Sequence, residues 1–362
     1  MSQRTHNIVR ICSAFAFCSW MVSSLASGQI SDNPQVLAGY YLLLDNKPMG
    51  LVQNVIGGEA THQVLVEKTN IYQSQKKHLG LVDYEDITLS LDGSSFKNLF
   101  PWIKATLEQK HDRKSGTIHV VDLNGHPTSS LNFFDALISE IGFPALDASS
   151  KDDAKLTLAF TPLNTNQLVY DPNKPVLPPI QANQSDLFDL SASKFHFLID
   201  GLESDCEGVT QVDAMTVKDG VASDDIGDLR TQDKVPGKPT PPTLHFVPNF
   251  SVTFSNGYPL LTAWYDDFVI KGNNSQTKER NATIEYYSRS RNNVLFSILL
   301  KHVGIYKLSK TPKKQFGYKL ANNEIIASFY AEEIIIFDGP LPKQYVKIKN
   351  KSPARGIASD GK

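Results

Sequence analysis

Apolar and polar positions alternate along most of this chain with a period of two, the pattern of strands covered on one face. The pattern predicts strands over Gly39–Leu44, Ile56–Glu67 and Tyr84–Leu91. Leu99, Trp102, Ile103 and Leu107 then fall near helical spacing, with Pro101 restricting where that helix starts. The segment 116–134 reads as strand, turn at Asn124-Gly125 and strand. Farther on, 195–201, 209–218 and 244–255 read as strands, with the first two expected to pair. A second tryptophan-bearing helix is predicted around Trp264, followed by strands in 281–288, 294–308 and 324–337.

Asp135 to Phe160 is ambiguous in isolation, because "DALISEI" has a helical look. The Asn-Gly turn just upstream makes Ser129 to Glu140 the returning strand instead. Phe133, Phe134, Leu137, Ile138 and Ile141 are expected to line a buried sheet, with a bulge where alternation slips. Gly142 to Lys151 is then a connection, and Ala154 to Phe160 the next strand. Both halves thus read as three strands, a Trp-bearing helix, two strands, a long connection and a strand, which points to a duplicated β-domain.

Proline changes the picture between Phe160 and Ser193, where Pro162, Pro172, Pro175, Pro178 and Pro179 exclude a helix or a central strand. The expected organisation is a domain over 36–163, a linker over 164–193, a second domain over 194–339 and a basic tail over 340–362. Residues 219–243 form a further irregular stretch, acidic and then proline-rich.

At the N-terminus, Arg4 and Arg10 precede an uncharged apolar run, Ile11 to Ala26, and then small residues at Ser24, Ala26 and Gly28. This order predicts a cleaved export signal over 1–28, hence a periplasmic or extracellular protein with no stable membrane span in its mature form. Without that signal the same chain would belong to cytoplasmic assembly or a virion. Cleavage removes Cys12 and Cys18, leaving Cys206 without an internal disulfide partner. The formal charge of -2 excludes a general nucleic-acid binder.

Catalytic motifs are weak. Ser94-Ser95-Phe96-Lys97, Ser31-Asp32-Asn33 and Lys114-Ser115-Gly116 mimic the serine acyl-enzyme set, but in the wrong order and without a helix-opening serine. The cluster Asp147, Ser149, Ser150 and Lys151 has no histidine near it and reads as a loop bonding its own backbone. Histidine and cysteine spacing suggests no zinc site, and the acidic run 219–228 lacks the ligand spacing of a calcium loop. No cofactor is expected.

"IGGEATHQVLVEK", "LGLVDYEDITLSL", "WIKATLEQKHDRKSGTIHVVD" and "LNFFDALISEIGFPALDASSKDDAKLTLAFTP" resemble the tail tube proteins of contractile phages and related injection systems, over about residues 40–163. "FLIDGLESDCEGVTQVDAMTVK", "LLTAWYDDFVIKGN" and "NVLFSILLKHVGIYKLS" resemble the C-terminal half of two-domain members. The resemblance implies two tandem β-sandwich or barrel-like domains, each with one flanking helix, closed into six-fold rings around a channel, and no catalysis. It places Gly57, Gly58 and Glu59 at the turn before a ring-sheet strand, and Trp102 on the outer helix. It places Phe143, Pro144 and Asp147, with Ser149, Ser150 and Lys151 beside them, on the connection to a neighbouring subunit. Trp264 and Asp267 are their structural counterparts in the second half. The implied partners are further copies of the chain, as a trimeric pseudo-hexamer or a hexamer, and other proteins of a tail-like or secretion apparatus. The rival reading is an exported monomeric carbohydrate- or protein-binding β-module, with Trp264, Tyr265 and Phe268 as its contact patch.

Overall fold

The computed structural model describes residues 37–67, 76–170, 190–219, 245–255, 257–289, 293–311 and 324–345. The expected export signal, residues 171–189 of the expected linker, the acidic stretch after Asp219 and the tail after Tyr345 lie outside the described residues.

The first half contains β1 (Leu37–Leu44), β2 (Lys47–Val52), β3 (Asn54–Ile56), β4 (Ala60–Glu67), β5 (Lys76–Tyr84) and β6 (Ile87–Leu91). Helix α1 (Gly93–Leu107) follows, then β7 (Lys114–Asp122), β8 (Pro127–Phe143), β9 (Leu146–Asp147), β10 (Leu156–Thr161) and β11 (Asn164–Val169). The second half contains β12 (Leu190–Ile199), α2 (Glu203–Cys206), β13 (Val209–Val212), β14 (Met215–Asp219), β15 (His245–Phe246) and β16 (Phe250–Phe254). Helix α3 (Pro259–Tyr265), β17 (Arg280–Ser288), β18 (Val294–Thr311), β19 (Glu324–Tyr330) and β20 (Glu333–Asp338) complete it.

One strand order occurs in both halves. The first runs β1-β7-β8-β10-β6-β3 and the second β12-β17-β18-β19-β16-β13. The agreement extends to single residues. Phe160 pairs with Ile138 and Phe329 with Ile305, and the register slips by one residue immediately beside each pair. Phe160 lies 5.6 Å from Trp102, and Phe329 lies 6.0 Å from Trp264, between ring centroids. The fold is mainly β, as the alternation predicts.

The two longest strands make each half a sandwich. The first part of β8 pairs with β7 and β11, and its last part with β10 and β14. Strand β18 likewise passes from β17 and β20 to β19. A strand that serves both layers must bend, and each does so at a residue in the left-handed region: Asp135 at φ 49° and His302 at φ 52°. This is the bulge expected in 129–140, and it turns Phe134 out to 44% exposure, contrary to its expected burial.

Two other expectations change. Asn164–Val169 is not linker but β11, an edge strand paired with β8. Strands 195–201 and 209–218 do not pair with each other, because β12 lies on β17 while β13 lies on β16 and β9. Helix α1 begins eight residues before Pro101, which lies within it on its exposed side. Phe96, Leu99, Trp102 and Ile103 bury the opposite stripe, and Asp92 caps the N-terminus by accepting from Ser95 N–H at 2.8 Å.

Packing joins the halves, and the described residues belong to one compact unit. Alternate positions of β6 (Ile87, Leu89, Leu91) and of β16 (Phe250, Val252, Phe254) enter one continuous core. Phe296 of the second half lies 4.6 Å from Phe96 and 6.4 Å from Phe143 of the first, between centroids.

Candidate functional site

Of the residues singled out from the sequence, Phe143, Asp147, Ser149, Ser150 and Lys151 lie where the two halves meet. Strand β9, from the connection after β8, adds to the edge of β13, placing Asp147 opposite Gln211 and Leu146 opposite Val212. In return, β14 adds to the end of β8, with Met215 opposite Phe143 and Val217 opposite Ile141. Each half therefore donates a strand to the other, and two sheet edges are covered at once.

Side chains repeat the exchange. Asp147 accepts from the Ser149 backbone at 2.8 Å and its hydroxyl at 2.6 Å, and its other oxygen accepts from Gln211 Nε2 at 2.9 Å. The Ser149 hydroxyl, then the Ser149 backbone N–H and the Gln211 amide hold this carboxyl below its ordinary range, outweighing burial. Ser150 Oγ accepts from Asp152 N–H at 3.1 Å. Arg289 of the second half donates to the Lys151 carbonyl at 2.6 Å and pairs with Asp153 at 2.9 Å. Lys218 reaches Glu140 at 2.6 Å across the other strand pair. The serine–aspartate–lysine cluster bonds its own backbone, as its loop reading predicts, and forms a seam between the two halves of the chain.

The remaining predicted positions are structural. Gly57 and Gly58 turn the chain from β3 into β4 at φ 88° and 92°. A Cβ on Gly57 would stand 2.0 Å from the Asp86 carbonyl oxygen, so only glycine fits. The Glu59 carbonyl accepts from Glu85 N–H at 3.0 Å and closes that hairpin. Trp102 is buried and donates to the Asp112 carbonyl at 2.8 Å. Pro144 follows Phe143 into the connection. Asp267 accepts from Asn273 at 2.8 Å. Trp264 and Phe268 are 6% and 4% exposed, so they cannot form the contact patch of the binding-module reading.

The acyl-enzyme fragments do not assemble a site. Ser95 donates to the Leu51 carbonyl and Ser115 accepts from Asp135 N–H, which makes both structural, while 31–33 lie outside the described residues. Cys206 is buried, and desolvation pushes its thiol up to about 12, so it is no nucleophile near neutral pH.

Gln211, Arg289 and Lys218 were missed from the sequence. Nothing local marks them, since their role comes from strands that the fold brings together from elsewhere.

Two sheets with one strand order thus cover each other's edges by exchanging strands within the chain. Residues 38–161 match the model of the T4-like virus tail tube protein gp19 family. None of the curated proteins matches the chain. Among solved structures, the chain is similar to a component of the sheath–tube complex of PVC, an extracellular contractile injection system. Identity there is 18% and the TM-score 0.34, over 41% of this chain and all of that one. It is also similar to the tube-terminating cap of the anti-feeding prophage, at 15% identity and TM-score 0.33, again over 41% of this chain and all of the other. Hcp1 from Flavobacterium johnsoniae is 15% identical with TM-score 0.25, over 36% and 94% of the two chains.

Proposed function

We propose that this chain is a non-catalytic tube or ring subunit carrying two tail-tube modules, and that three copies close a six-position ring. The carrying observation is the internal seam. Two modules with the same strand order already stand side by side, each donating a strand to the other. Head-to-tail association that closes yields a ring.

The unmatched edges support this reading. Strand β3 holds in the first half the place that β13 holds in the second, yet no described strand covers its outer edge, and Ile56 there is 62% exposed. The end of β18 pairs with β19 alone, where the corresponding end of β8 also takes β14. Lys307 of that edge stands in register where Glu140 stands in the first half, so the second seam carries the opposite charge. The β4–β5 hairpin pairs with no other described strand, and Leu79 and Leu81 are 64% and 71% exposed on it. A lone hairpin is marginal in water and gains stability from a second copy.

The N-terminal pattern over 1–28 supports an assembly outside the cytoplasm, as an exported ring or filament. Native mass spectrometry of the purified protein tests the stoichiometry. Trimers or stacked trimers are expected; a hexamer as the smallest closed species refutes the alternating ring, and a monomer at all concentrations refutes self-assembly.

A further inference from the structure

At the bend of β18 the second half carries a donor cluster with no counterpart among the described residues of the first. One oxygen of Glu279, one ring nitrogen of His302 and one carboxylate oxygen of Glu332 lie within 4.8 Å of one another. The Glu279 side chain is only 7% exposed. Its Oε1 accepts from Tyr330 Oη at 2.8 Å, which aims Oε2 at the cluster. That oxygen is buried and accepts no hydrogen bond among the described residues, although His302 Nδ1 is 3.2 Å away.

Comparison of the halves shows that the bend itself does not require these residues. The pairs Lys114–Ala136 and Arg280–Val303 occupy the same register, which sets Arg113 and Asp135 against Glu279 and His302. Leu163 N–H donates to the Phe134 carbonyl as Glu332 N–H does to the Lys301 carbonyl, which sets Leu163 against Glu332. One set is Arg, Asp and Leu, where the Arg113 guanidinium donates to the Asp135 carbonyl at 2.9 Å. The other is Glu, His and Glu, two acceptors and an imidazole converging on one point. Replacing a guanidinium and an apolar side chain by two carboxylates, around a shared backbone bend, concentrates acceptor oxygens beside the His302 ring.

We propose that Glu279, His302 and Glu332 bind a divalent transition-metal ion of the zinc type. Nitrogen and oxygen donors about 2.0–2.1 Å from a tetrahedral ion stand about 3.3 Å apart, close to the Glu279–His302 separation. A mixed imidazole–carboxylate set suits zinc and its neighbours better than calcium or magnesium. Three protein donors leave one position for water. The ion clamps the start of β17, the bend of β18 and the β19–β20 turn, so its place is structural.

Isothermal titration of the untagged full chain with zinc chloride tests this, with cobalt(II) absorption reporting the donor set. The expected result is one site per chain with micromolar dissociation, weakened about tenfold or more by His302→Ala and by Glu279→Gln. His196→Ala, at a histidine–glutamate pair elsewhere (3.5 Å from Glu285), leaves binding unchanged. Absence of binding below millimolar zinc overturns the proposal. So does binding that both variants retain, or that His196→Ala removes equally. Loss of the metal site with intact trimers leaves the ring reading standing, so the two fail separately.

Discussion

Phe296→Ala reads out whether the two halves share one cooperative core. The ring is 2% exposed, stacks on Tyr286 at 4.3 Å and 14°, and meets Phe96 and Phe143 from the other half. Deleting a buried phenylalanine costs about 3–5 kcal/mol. Loss of these ring contacts, worth about 0.5–1.5 kcal/mol per aromatic pair, puts this site at the upper end, about 4–5 kcal/mol. For a large cooperative unit, at about 2 °C per kcal/mol, this lowers the midpoint by about 8–10 °C. Scanning calorimetry of the full chain should show one main transition that moves as a whole. Hydrogen exchange should show β6 and α1 losing protection together with β17 and β18, although the substitution lies only in the latter. Two separate wild-type transitions, or loss of protection confined to the second half, would refute a shared core.

Trp102→Ala should destabilise by about 3–5 kcal/mol in thermal melts, with the exposed Asp112 carbonyl partner a minor part. Gly57→Ala, forced against the Asp86 carbonyl at a left-handed φ, should lower the midpoint measurably, while Gly272→Ala, with open space around it, costs only its backbone strain. Cys206 should resist thiol reagents in the native protein at pH 8 and react once urea unfolds it, as its raised ionisation requires. Replacing Ser149, Ser150 and Lys151 together by alanine should abolish no reaction but loosen the seam, read as faster exchange of the Ala148 and Val212 amides.

The seam should also depend on pH in one direction. The Asp147 carboxyl is held below its ordinary range by hydrogen bonds that exist only in the fold. Its contribution is therefore complete above the unfolded-state value, near about 4, and is lost as pH falls through the lower folded value. Asp147→Asn should remove that part of the acid sensitivity, and melts from pH 6 to pH 3 compare the two proteins. A steeper acid loss in the variant contradicts the argument.

How much of this was legible in the sequence depended on how far apart the interacting residues lie. Strand β8 was readable despite its helical spacing, because the Asn124-Gly125 turn fixed its direction locally. The burial of Phe134 was misread because the bulge at Asp135 reverses facing by one residue, and nothing in the composition places a bulge to the residue. Asn164–Val169 was hidden by the proline-rich context, though an edge strand tolerates such neighbours where a central one does not. The glycine turn came only from the family resemblance and interrupts the stretch 56–67 expected as one strand, whereas both tryptophans carried local signals. Partners such as Gln211 and Arg289 carried none, because strand exchange joins segments more than sixty residues apart, as Asp147 and Gln211 are.

The proposed pair of modules also gives a physical reason for the differences between the two halves. On the proposed ring, the seam inside a chain forms at the effective concentration set by its linker, whereas the seam between chains must form from free subunits. An internal seam thus tolerates weaker contacts, and a three-chain ring needs three associations where single modules need six. The two seams also face different tests: the inner one is part of folding, the outer one must exclude wrong copies. Opposite charges at Glu140 and Lys307 fit that division, because an edge matched only by its proper partner resists pairing with its own kind. Lys307→Glu should therefore shift native mass spectra from trimer toward monomer while melting of the monomer stays within about 1 °C, as surface substitutions usually do. Unchanged trimers would show that the outer edge of β18 is not the contact.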